Sequence, residues 1–294
     1  MRWGDMRRSQ NVEDRTGMGP ARGGFGGGGM KIGLGGLILA LIASLLFGIN
    51  PLEMLGGMSS APVPQQAPAP LPAPGQAGKG GDPTKEIMAR VVGDTEDVWT
   101  ALFKALNRPA YRPPNLVLFD GRVNSACGLA SAAVGPFYCP GDQKVYLDTS
   151  FFHELDRRFG APGDFAQAYV VAHEVGHHVQ NQLGTMAQFD REVARLPEAQ
   201  RNQAQVRLEL QADCYAGVWG YFAQKRGLLE PGDLEEGMRA AAAVGDDQIM
   251  KRTQGYVVPD AFTHGSAQQR TRWFQRGLQS GDPRQCDTFS VAQP

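Results

Sequence analysis

The chain has 294 residues, enough for one or two domains. Its 29 Lys and Arg against 30 Asp and Glu give a net charge of -1, which excludes a global bias toward nucleic acid or an anionic membrane surface. Hydrophobic residues make up 42% of the chain and suit a globular core, while the 38 glycines and 20 prolines concentrate near the start. The composition therefore separates a front section from a folded remainder.

An apolar segment follows a polar beginning. Residues 1–31 are glycine-rich and carry more basic than acidic side chains, and residues 32–49 are the uncharged run IGLGGLILALIASLLFGI. A run of this length reaches the lower limit for a transmembrane helix, and the basic residues ahead of it favour a cytoplasmic N-terminus. We predict a cytoplasmic segment at 1–31 and an uncleaved, single-pass anchor at 32–49. A cleavable signal peptide and a buried core helix are the alternatives.

A Pro/Ala/Gly-rich tract, residues 50–83, separates the apolar segment from the rest of the chain. Such a composition cannot bury enough apolar surface to fold, and it behaves as a semi-extended spacer. We therefore predict a linker at 50–83 that holds a folded domain, residues 84–294, off the membrane.

Strand and helix patterns alternate along this domain. We predict a helix or helix pair at 85–106, strands at 114–121 and 144–152 with a hairpin turn at 140–143, and helices at 164–184, 198–226, 234–244 and from 266 onward. Capping boxes at Asp164 with Gln167 and at Ser266 with Gln269 mark two of the helix starts. A small sheet followed by several helices predicts a mainly helical α+β fold.

Three of the five histidines lie in one predicted helix, in the stretch AHEVGHHVQ. His173 and His177 are one turn apart on the same face, so both imidazoles can reach one metal ion. Glu174 lies about 100° around the helix from His173, so its carboxylate flanks the metal rather than binding it. This is the His-Glu-x-x-His arrangement, in which the glutamate is the general base that deprotonates water at a zinc ion. His178 lies off that face, and we expect it to hydrogen-bond locally or to face solvent.

A catalytic zinc site needs a third protein ligand and an open position. The metzincin extension is excluded, because Gln180 and Leu183 stand where it requires Gly and His. Thirty-two residues after His177, the stretch ELQAD puts Glu209 and Asp213 one turn apart on another predicted helix. We predict that Glu209 is the third ligand of one zinc ion. Asp213 is then the carboxylate that hydrogen-bonds the ring nitrogen of a ligand histidine that does not bind the metal.

Two other interpretations of these helices explain less. A solvated face with histidines by chance conflicts with His173, which interrupts an apolar stretch that should be buried, where unpaired polar groups are costly. A di-iron bundle would use Glu174 and His177 as a Glu-x-x-His motif, but it needs a second such motif on another helix, and the chain has none.

Several stretches together carry a family resemblance: MRWGDMRRSQNVEDR at the start, the single apolar segment, GPFYCPGDQKVYLD, AHEVGHHVQ, ELQADCYAGVW and THGSAQQR. With them the chain resembles the neutral zinc metallopeptidases of bacteria over nearly its full length. The site is also similar to that of gluzincin peptidases, with HExxH and a downstream ExxxD. The resemblance implies a zincin-like domain and one Zn²⁺ bound by His173, His177 and Glu209. It also implies that Glu174 is the general base and that Asp213 hydrogen-bonds a ligand histidine, but it identifies no substrate.

Two further features gain a role from this resemblance. Peptidases of this kind hold their substrate against an edge strand beside the zinc, and we expect segment 124–147 to form that wall. A plain hairpin pinned by a disulfide explains the segment equally well. His264, just before the last predicted helix, is a candidate donor to the oxyanion of the tetrahedral intermediate, with Arg270 in support. A surface histidine in a capping loop is the alternative.

The four cysteines form no CxxC pair and show no metal-finger spacing, so they predict no structural zinc site. In an oxidising compartment they fit two disulfides, Cys127 with Cys139 around the predicted hairpin and Cys214 with Cys286. Four buried thiols in the cytosol are the alternative. The predicted anchor favours export and therefore the disulfides.

These inferences combine into a membrane-anchored zinc metalloendopeptidase whose catalytic domain lies outside the cytoplasm. Its expected partners are a peptide or protein substrate and the membrane, through residues 32–49, with no nucleic acid; the sequence identifies no other protein partner. Two alternatives keep the same metal site: a zinc-stabilised binding or quality-control module that cleaves nothing, and a zinc amidase acting on a non-peptide amide. The intact Glu174 argues against the first, and the sequence cannot separate the second from proteolysis.

Overall fold

The computed structural model describes residues 1–17, 82–131 and 135–294. Its strands are β1 (Val12–Asp14), β2 (Asn115–Phe119), β3 (Arg122–Ser125), β4 (Gly128–Ser131), β5 (Phe137–Cys139) and β6 (Lys144–Asp148). Its α-helices are α1 (Pro83–Ala105), α2 (Phe151–Arg157), α3 (Asp164–Leu183), α4 (Thr185–Val193), α5 (Glu198–Lys225), α6 (Asp233–Ala243), α7 (Asp246–Thr253) and α8 (Ala267–Ser280). Helices around a small sheet confirm the predicted α+β class.

Four strands form a mixed sheet in the order β1-β2-β6-β5. β1 and β6 both run parallel to β2, whereas β5 is antiparallel to β6 and forms one edge of the sheet. Leu116 and Leu147 pack into the main helical core, while Val117 and Tyr146 face a smaller core shared with the antiparallel β3–β4 hairpin. Because β2 and β6 are covered on both faces, their sequences are nearly continuous apolar runs.

Helix α3 lies at the centre of the helical layer and packs against α1, α5 and α6. Helix α8 packs along α5 so closely that a Cβ on Gly277 would lie 2.0 Å from the backbone oxygen of Cys214. Phe165 and Phe274 are fully buried in the main core, and Phe165 stacks on the equally buried Trp219. Two helices, α3 and α5, therefore form the rigid centre of the molecule.

Residues 1–17 pack on the domain that the sequence predicts to begin at residue 84. β1 pairs with β2, Arg7 forms ion pairs with Glu96 and Asp97 of α1, and the Ser9 hydroxyl donates to Glu96 at 2.6 Å. The fold therefore includes residues 1–17, which belong to the N-terminal segment that the sequence predicts to be separate from the domain. No local sequence pattern predicts this packing, because β1 has three residues and its partner strand lies about a hundred residues further along the chain.

Several element predictions need correction. Asp164 and Gln167 form no capping box; Gly163 is the N-cap of α3, and Glu236 of α6 accepts a hydrogen bond from the Phe165 N–H. The carboxylate of Asp164 faces the Met1 ammonium instead, at 2.8 Å. The strand predicted at 144–152 ends at residue 148, and helix α2 follows. The β3–β4 hairpin and helices α4 and α7 were not predicted. The capping box of Ser266 and Gln269 is present at the start of α8.

Both predicted disulfides are present. Cys127 with Cys139 joins the β3–β4 turn to the end of β5, with the two Cα atoms 5.8 Å apart. Cys214 with Cys286, with Cα atoms 5.5 Å apart, ties α5 to the short 3-10 helix Pro283–Cys286 near the C-terminus. The first bond attaches the β3–β4 turn to a strand next to α3, and the second attaches the C-terminal segment to α5 itself.

The anchor predicted at 32–49, and all but the last two residues of the linker predicted at 50–83, lie outside the described residues. In the part of the chain that the structure describes, no helix combines the length and the apolar character needed to cross a membrane.

Candidate metal centre

Helices α3 and α5 bring three predicted ligands together. His173 and His177 of α3 and Glu209 of α5 each offer one ligand atom, and these atoms all lie within 4.8 Å of one another. Glu209 Oε2 is 3.2 Å from His173 Nε2 and 3.5 Å from His177 Nε2, and all three residues are buried. Burial alone would raise the pKa of Glu209, but the nearby His177 and His173 outweigh it and lower that pKa well below its ordinary value. The cluster is therefore an anionic carboxylate facing two imidazoles.

A glycine between the two histidines allows this convergence. A Cβ on Gly176 would lie 2.9 Å from the backbone oxygen of Ala212 on α5. A side chain at this position would push the two helix backbones apart. The close approach at Gly176 therefore sets the distance between the histidines of α3 and the carboxylates of α5.

Asp213 orients His173 from behind. Its Oδ1 accepts a hydrogen bond from His173 Nδ1 at 2.9 Å, and it is also bonded by the Tyr169 hydroxyl. Arg270 of α8 bonds both carboxylate oxygens, each at 2.9 Å. Burial raises the pKa of Asp213, but Arg270 and His173 outweigh burial and lower it, so Asp213 is held as an anion. The sequence predicts that Arg270 supports His264. The structure pairs Arg270 with Asp213 instead, because α8 packs along α5.

His177 is oriented by an uncharged partner. Its Nδ1 lies 2.9 Å from Oε1 of Gln180, three residues further along α3. With Nδ1 of both histidines engaged in this way, both Nε2 atoms face Glu209. Two imidazole nitrogens and one carboxylate oxygen are a donor set that suits zinc.

Glu174 lies beside the cluster but is not part of it. It is buried, and no hydrogen-bond partner of its carboxylate is found among the described residues. Burial raises the pKa of Glu174, while His173 and His177 act in the opposite direction and only partly offset it. A buried carboxylate with a raised pKa and no partner is more basic than an ordinary one.

His264 lies in the loop before α8 and is held by Asp246, the first residue of α7. Asp246 Oδ1 is 3.2 Å from His264 Nδ1, and Oδ2 accepts the backbone N–H groups of Thr263, His264 and Gly265. Burial lowers the pKa of His264, but Asp246, and after it Glu209, outweigh burial and raise it. Because Nδ1 faces Asp246, Nε2 is the ring nitrogen without a hydrogen-bond partner among the described residues.

The third histidine of the cluster stretch is buried on the opposite side of α3. His178 Nδ1 lies 3.1 Å from the Tyr138 hydroxyl of β5, and Nε2 lies 2.6 Å from the Arg112 carbonyl. Burial lowers the pKa of His178 to about 4 despite the opposing bond to that carbonyl, so the imidazole is neutral. Of the two expectations for His178, the local contact is present, because its Nε2 lies 2.7 Å from Gln182 Nε2, four residues further along α3. The solvent-facing alternative is wrong, because this face of α3 packs against β5. His178 lies outside the group of three that could hold a metal.

The predicted substrate wall, segment 124–147, contains the β3–β4 hairpin and the edge strand β5. Tyr138 of β5 bonds α3 directly, through His178 and through Asn181 at 2.8 Å. One side of the β5 backbone pairs with β6, and β5 is the last strand at that edge of the sheet. The edge strand is thus attached to the helix that carries His173 and His177.

Among the described residues, one other group of carboxylates has metal-like spacing: Asp164, Asp233 and Glu236. The Met1 ammonium lies 2.8 Å from Asp164 and 3.2 Å from Asp233, and these carboxylates help raise the pKa of the ammonium to about 10 against the effect of burial. An ammonium group already pairs with two of these three carboxylates, so the histidine cluster is the better metal site.

A sequence model of the family described as "Putative neutral zinc metallopeptidase" matches residues 1–289. The chain belongs to this family. The resemblance inferred from the sequence motifs is thereby confirmed over the whole chain, and the family description indicates zinc as the metal. The match includes residues 1–17, which the structure packs on the domain.

Two relatives show how far this family likeness extends. The chain is 45% identical over 293 residues to "Uncharacterized protein YpfJ" of Escherichia coli strain K12, covering 98% of this chain and 99% of that protein. It is 47% identical over 233 residues to "Uncharacterized protein Rv2575" of Mycobacterium tuberculosis, covering 74% of this chain and 75% of that protein. No solved structure matches the chain.

Four residues of this family member's site were not predicted from the sequence: Tyr169, Gln180, Gln211 and Asp246. Tyr169 stands four residues before His173 and Gln180 three residues after His177, so helical spacing alone could have drawn attention to both. Gln211 lies inside ELQAD, between the two predicted carboxylates, and its Oε1 accepts a hydrogen bond from Gln180 Nε2. No local pattern connects Asp246 with His264, because the pairing depends on how α7 packs beside the loop before α8.

Proposed function

We propose that the protein is a zinc metalloendopeptidase that hydrolyses peptide bonds with Glu174 as the general base. One observation carries the proposal: three convergent ligand atoms stand beside a buried carboxylic acid, Glu174, that bonds none of them. A purely structural zinc site is closed by four protein ligands, whereas three ligands leave a position open. The family description supports the same reaction class.

His173, His177 and Glu209 would hold a single zinc ion. The donor set fits, because both imidazoles direct Nε2 and the carboxylate directs Oε2 into one space. A zinc ion bound there would polarise the substrate carbonyl and lower the pKa of a coordinated water molecule to about 7. Asp213 keeps His173 turned toward the metal, and Arg270 and Tyr169 keep Asp213 in place.

Glu174 moves the protons of the reaction. Its carboxylate removes a proton from the attacking water and then delivers that proton to the leaving amine nitrogen. The raised pKa of Glu174 supports the first step, since a stronger base accepts the proton more readily. The carboxylate is free to do so because it makes no bond with the described residues.

His264 and β5 serve the substrate. Protonated His264, with Nδ1 held by Asp246, would donate from Nε2 to the carbonyl oxygen as negative charge develops there. An extended peptide would add to the free edge of β5 by backbone hydrogen bonds, beside the helix that carries the ligands. The disulfide between Cys127 and Cys139 keeps the β3–β4 turn attached to this edge.

We also propose that residues 32–49 attach the protein to a membrane and that the peptidase domain lies outside the cytoplasm, where disulfides persist. The packing of residues 1–17 restricts this attachment. β1 pairs with β2, and Lys85 bonds Asp14 at 3.1 Å and Thr16, so both ends of the segment 18–81 belong to one folded unit. A single membrane crossing between them would separate these partners.

A cytoplasmic N-terminus and the β1–β2 pair are therefore incompatible in the same molecule. Protease digestion of intact cells that carry an N-terminally tagged protein separates the two arrangements. Loss of the tag together with the domain means that residues 1–17 accompany the domain outside the cytoplasm. A protected tag beside a digested domain means that the single crossing forms and that β1 is unpaired there.

The proposed reaction is tested with the full chain and its Glu174→Gln variant, each assayed for zinc content and for cleavage of casein. We expect equal zinc content and a loss of cleavage of about 10²–10⁴-fold, because only the base is removed. The His173→Ala variant is the control for the ligand set, and it should lose zinc. Zinc retained at full stoichiometry by His173→Ala would overturn the site.

The same assay separates the alternatives. If both proteins bind zinc and neither cleaves any peptide, the binding module without catalysis is correct. If only non-peptide amides are hydrolysed, and Glu174→Gln stops that reaction, the amidase is correct.

A further inference from the structure

A chain of buried hydrogen bonds leads away from His177. Gln180 Oε1 lies 2.9 Å from His177 Nδ1, and Gln180 Nε2 donates to the backbone carbonyl of Leu208 at 2.6 Å and to Gln211 Oε1 at 3.1 Å. Gln211 Nε2 in turn donates to the backbone carbonyl of Cys286 at 3.0 Å. The chain therefore connects a predicted ligand on α3, through α5, to the C-terminal 3-10 helix.

The direction of every bond in this chain is fixed by its two backbone carbonyls, which can only accept hydrogen bonds. Gln211 must turn its nitrogen toward Cys286 and so offers its oxygen to Gln180. Gln180 must turn its nitrogen toward Leu208 and Gln211, which leaves its oxygen for His177.

An oxygen can only accept, so the hydrogen of the neutral imidazole must lie on Nδ1 of His177. The lone pair then lies on Nε2, the nitrogen that faces Glu209. A metal is bound through that lone pair, and the tautomer of a ligand histidine is set by the bond its other nitrogen makes.

We propose that Gln180 and Gln211 are positioning residues that fix the tautomer and the orientation of His177. We further propose that the disulfide of Cys214 with Cys286 anchors this relay, although neither sulfur touches a predicted ligand. The inference deepens the proposed function and rests on it in one respect, that His177 binds the metal.

The disulfide holds the last acceptor in place. Cys214 follows Asp213 on α5, and Gln211 lies one turn before Cys214 on the same helix. The bond to Cys286 therefore keeps the Cys286 carbonyl opposite Gln211, and both sulfur-bearing residues are fully buried. Without the bond, the C-terminal segment could leave α5, and Gln211 would lose the acceptor that sets its direction. Gln211 could then turn its nitrogen toward Gln180 Nε2, and only the Leu208 carbonyl would still direct Gln180.

Two measurements test the relay without any use of peptide cleavage. The first measurement determines the tautomer of His177. It uses long-range ¹H–¹⁵N NMR spectra of the metal-free full chain labelled with ¹⁵N-histidine. We expect the hydrogen on Nδ1. A hydrogen on Nε2 in the wild-type protein would overturn the proposal, and this result depends on no variant.

The second measurement is Co²⁺ affinity, from competition with a chelator, together with the visible absorption of bound Co²⁺. Gln180→Leu removes the acceptor of His177 and should weaken Co²⁺ binding about 10–100-fold, the usual effect of losing such an outer partner. The matched control is Gln182→Leu on the same helix, because Gln182 bonds Arg112 and His178 rather than His177. The control should bind Co²⁺ as the wild type does.

The double variant Cys214→Ala, Cys286→Ala tests the anchor. We expect the Co²⁺ absorption spectrum and the His177 tautomer to change in the same sense as in Gln180→Leu, with a smaller loss of affinity. If Gln180→Leu and the double variant both keep wild-type Co²⁺ affinity and spectrum, the relay is only packing and the proposal is wrong. A failure to cleave peptides would count against the proposed function alone, because neither measurement involves a substrate.

Discussion

The proposed metal-binding side and the proposed substrate-facing side of the candidate site are formed by different kinds of secondary structure. On the metal-binding side, His173, His177 and Glu209 stand on two long helices and are buried. On the substrate-facing side, His264 stands in a loop between α7 and α8, and the free sheet edge is the three-residue strand β5. The first side is held by the core of the molecule. On the second side, β5 is held by its pairing with β6, by Tyr138 and by the disulfide at Cys139, whereas His264 is held by the single side chain of Asp246.

This difference has energetic consequences. A change to the metal-binding side disturbs buried charges and helix packing, so it should appear in the stability of the metal-free protein and in its metal affinity. A change to the substrate-facing side touches loops whose contacts contribute little to the core, so it should appear in the reaction rate and its pH dependence while stability stays nearly constant. The substitutions that follow test this separation.

The largest effect is expected from Arg270→Met. Arg270 is buried and bonds both oxygens of Asp213, so its loss leaves a buried carboxylate without its cation. Removing one partner of a buried pair typically costs about 3–5 kcal/mol in the free energy of unfolding. Denaturant unfolding of the metal-free protein measures this value. The matched control is Arg272→Met on the same helix, at an exposed position, where we expect a change within about 0.5 kcal/mol. A loss below about 1 kcal/mol for Arg270→Met would show that the core does not depend on this pair.

A smaller effect is expected from Gly176→Ala. Alanine favours a helix by about 1 kcal/mol over glycine, but the new Cβ would meet the Ala212 backbone oxygen at 2.9 Å, and such overpacking costs about 1–3 kcal/mol. The two terms partly cancel in the free energy of unfolding. The changed distance between α3 and α5 does not cancel, so zinc affinity should fall about tenfold or more.

Chelator competition measures the zinc affinity of Gly176→Ala. Gly4→Ala is the control, because a Cβ at Gly4 meets nothing within 4 Å. Equal zinc affinity of Gly176→Ala and the wild type would mean that the helices reach their ligand spacing without this contact.

The two sides also differ in how far the sequence predicts them. The pairing of His173 with His177, and of Glu209 with Asp213, follows from helical spacing, because helices present residues three and four apart on one face. The search for a third zinc ligand joins the two pairs, and the structure brings all four residues together. The disulfides follow from the even cysteine count and the predicted hairpin. Each of these inferences uses a periodicity or a spacing that is already present in the linear sequence.

The rest depends on tertiary packing. The sequence predicts Arg270 as a partner of His264, but the packing of α8 along α5 gives it to Asp213, and Asp246 holds His264 instead. Similarly, β1 gains its place in the sheet only from β2, far along the chain. A three-residue strand has too few alternating positions to be distinguished from a loop. No local pattern encodes such pairings.

The smallest effect in free energy is expected from Asp246→Asn, which alters only the substrate-facing side. Because Nδ1 of His264 donates to Asp246, Nε2 can donate to a substrate only when the imidazole is protonated. Asp246 raises the pKa of His264, so the donor form persists above the ordinary pKa of about 6.5 and is lost as the pH rises through the raised value. Asparagine has the same shape and one acceptor oxygen but carries no charge, so it does not hold the pKa of His264 up. The alkaline limb of kcat/KM should therefore move to lower pH.

At pH 8 we expect kcat/KM of Asp246→Asn to be on the order of tenfold below the wild-type value, since most of a histidine with an ordinary pKa is neutral there. Below pH 6 the two proteins should differ little, because His264 is protonated in both. Zinc content and the free energy of unfolding at a pH above the raised pKa of His264, where the imidazole is neutral in both proteins, serve as controls and should stay near wild-type values. An unchanged pH profile would remove His264 from the reaction, whereas a loss of zinc would mean that the two sides of the site are one structural unit after all.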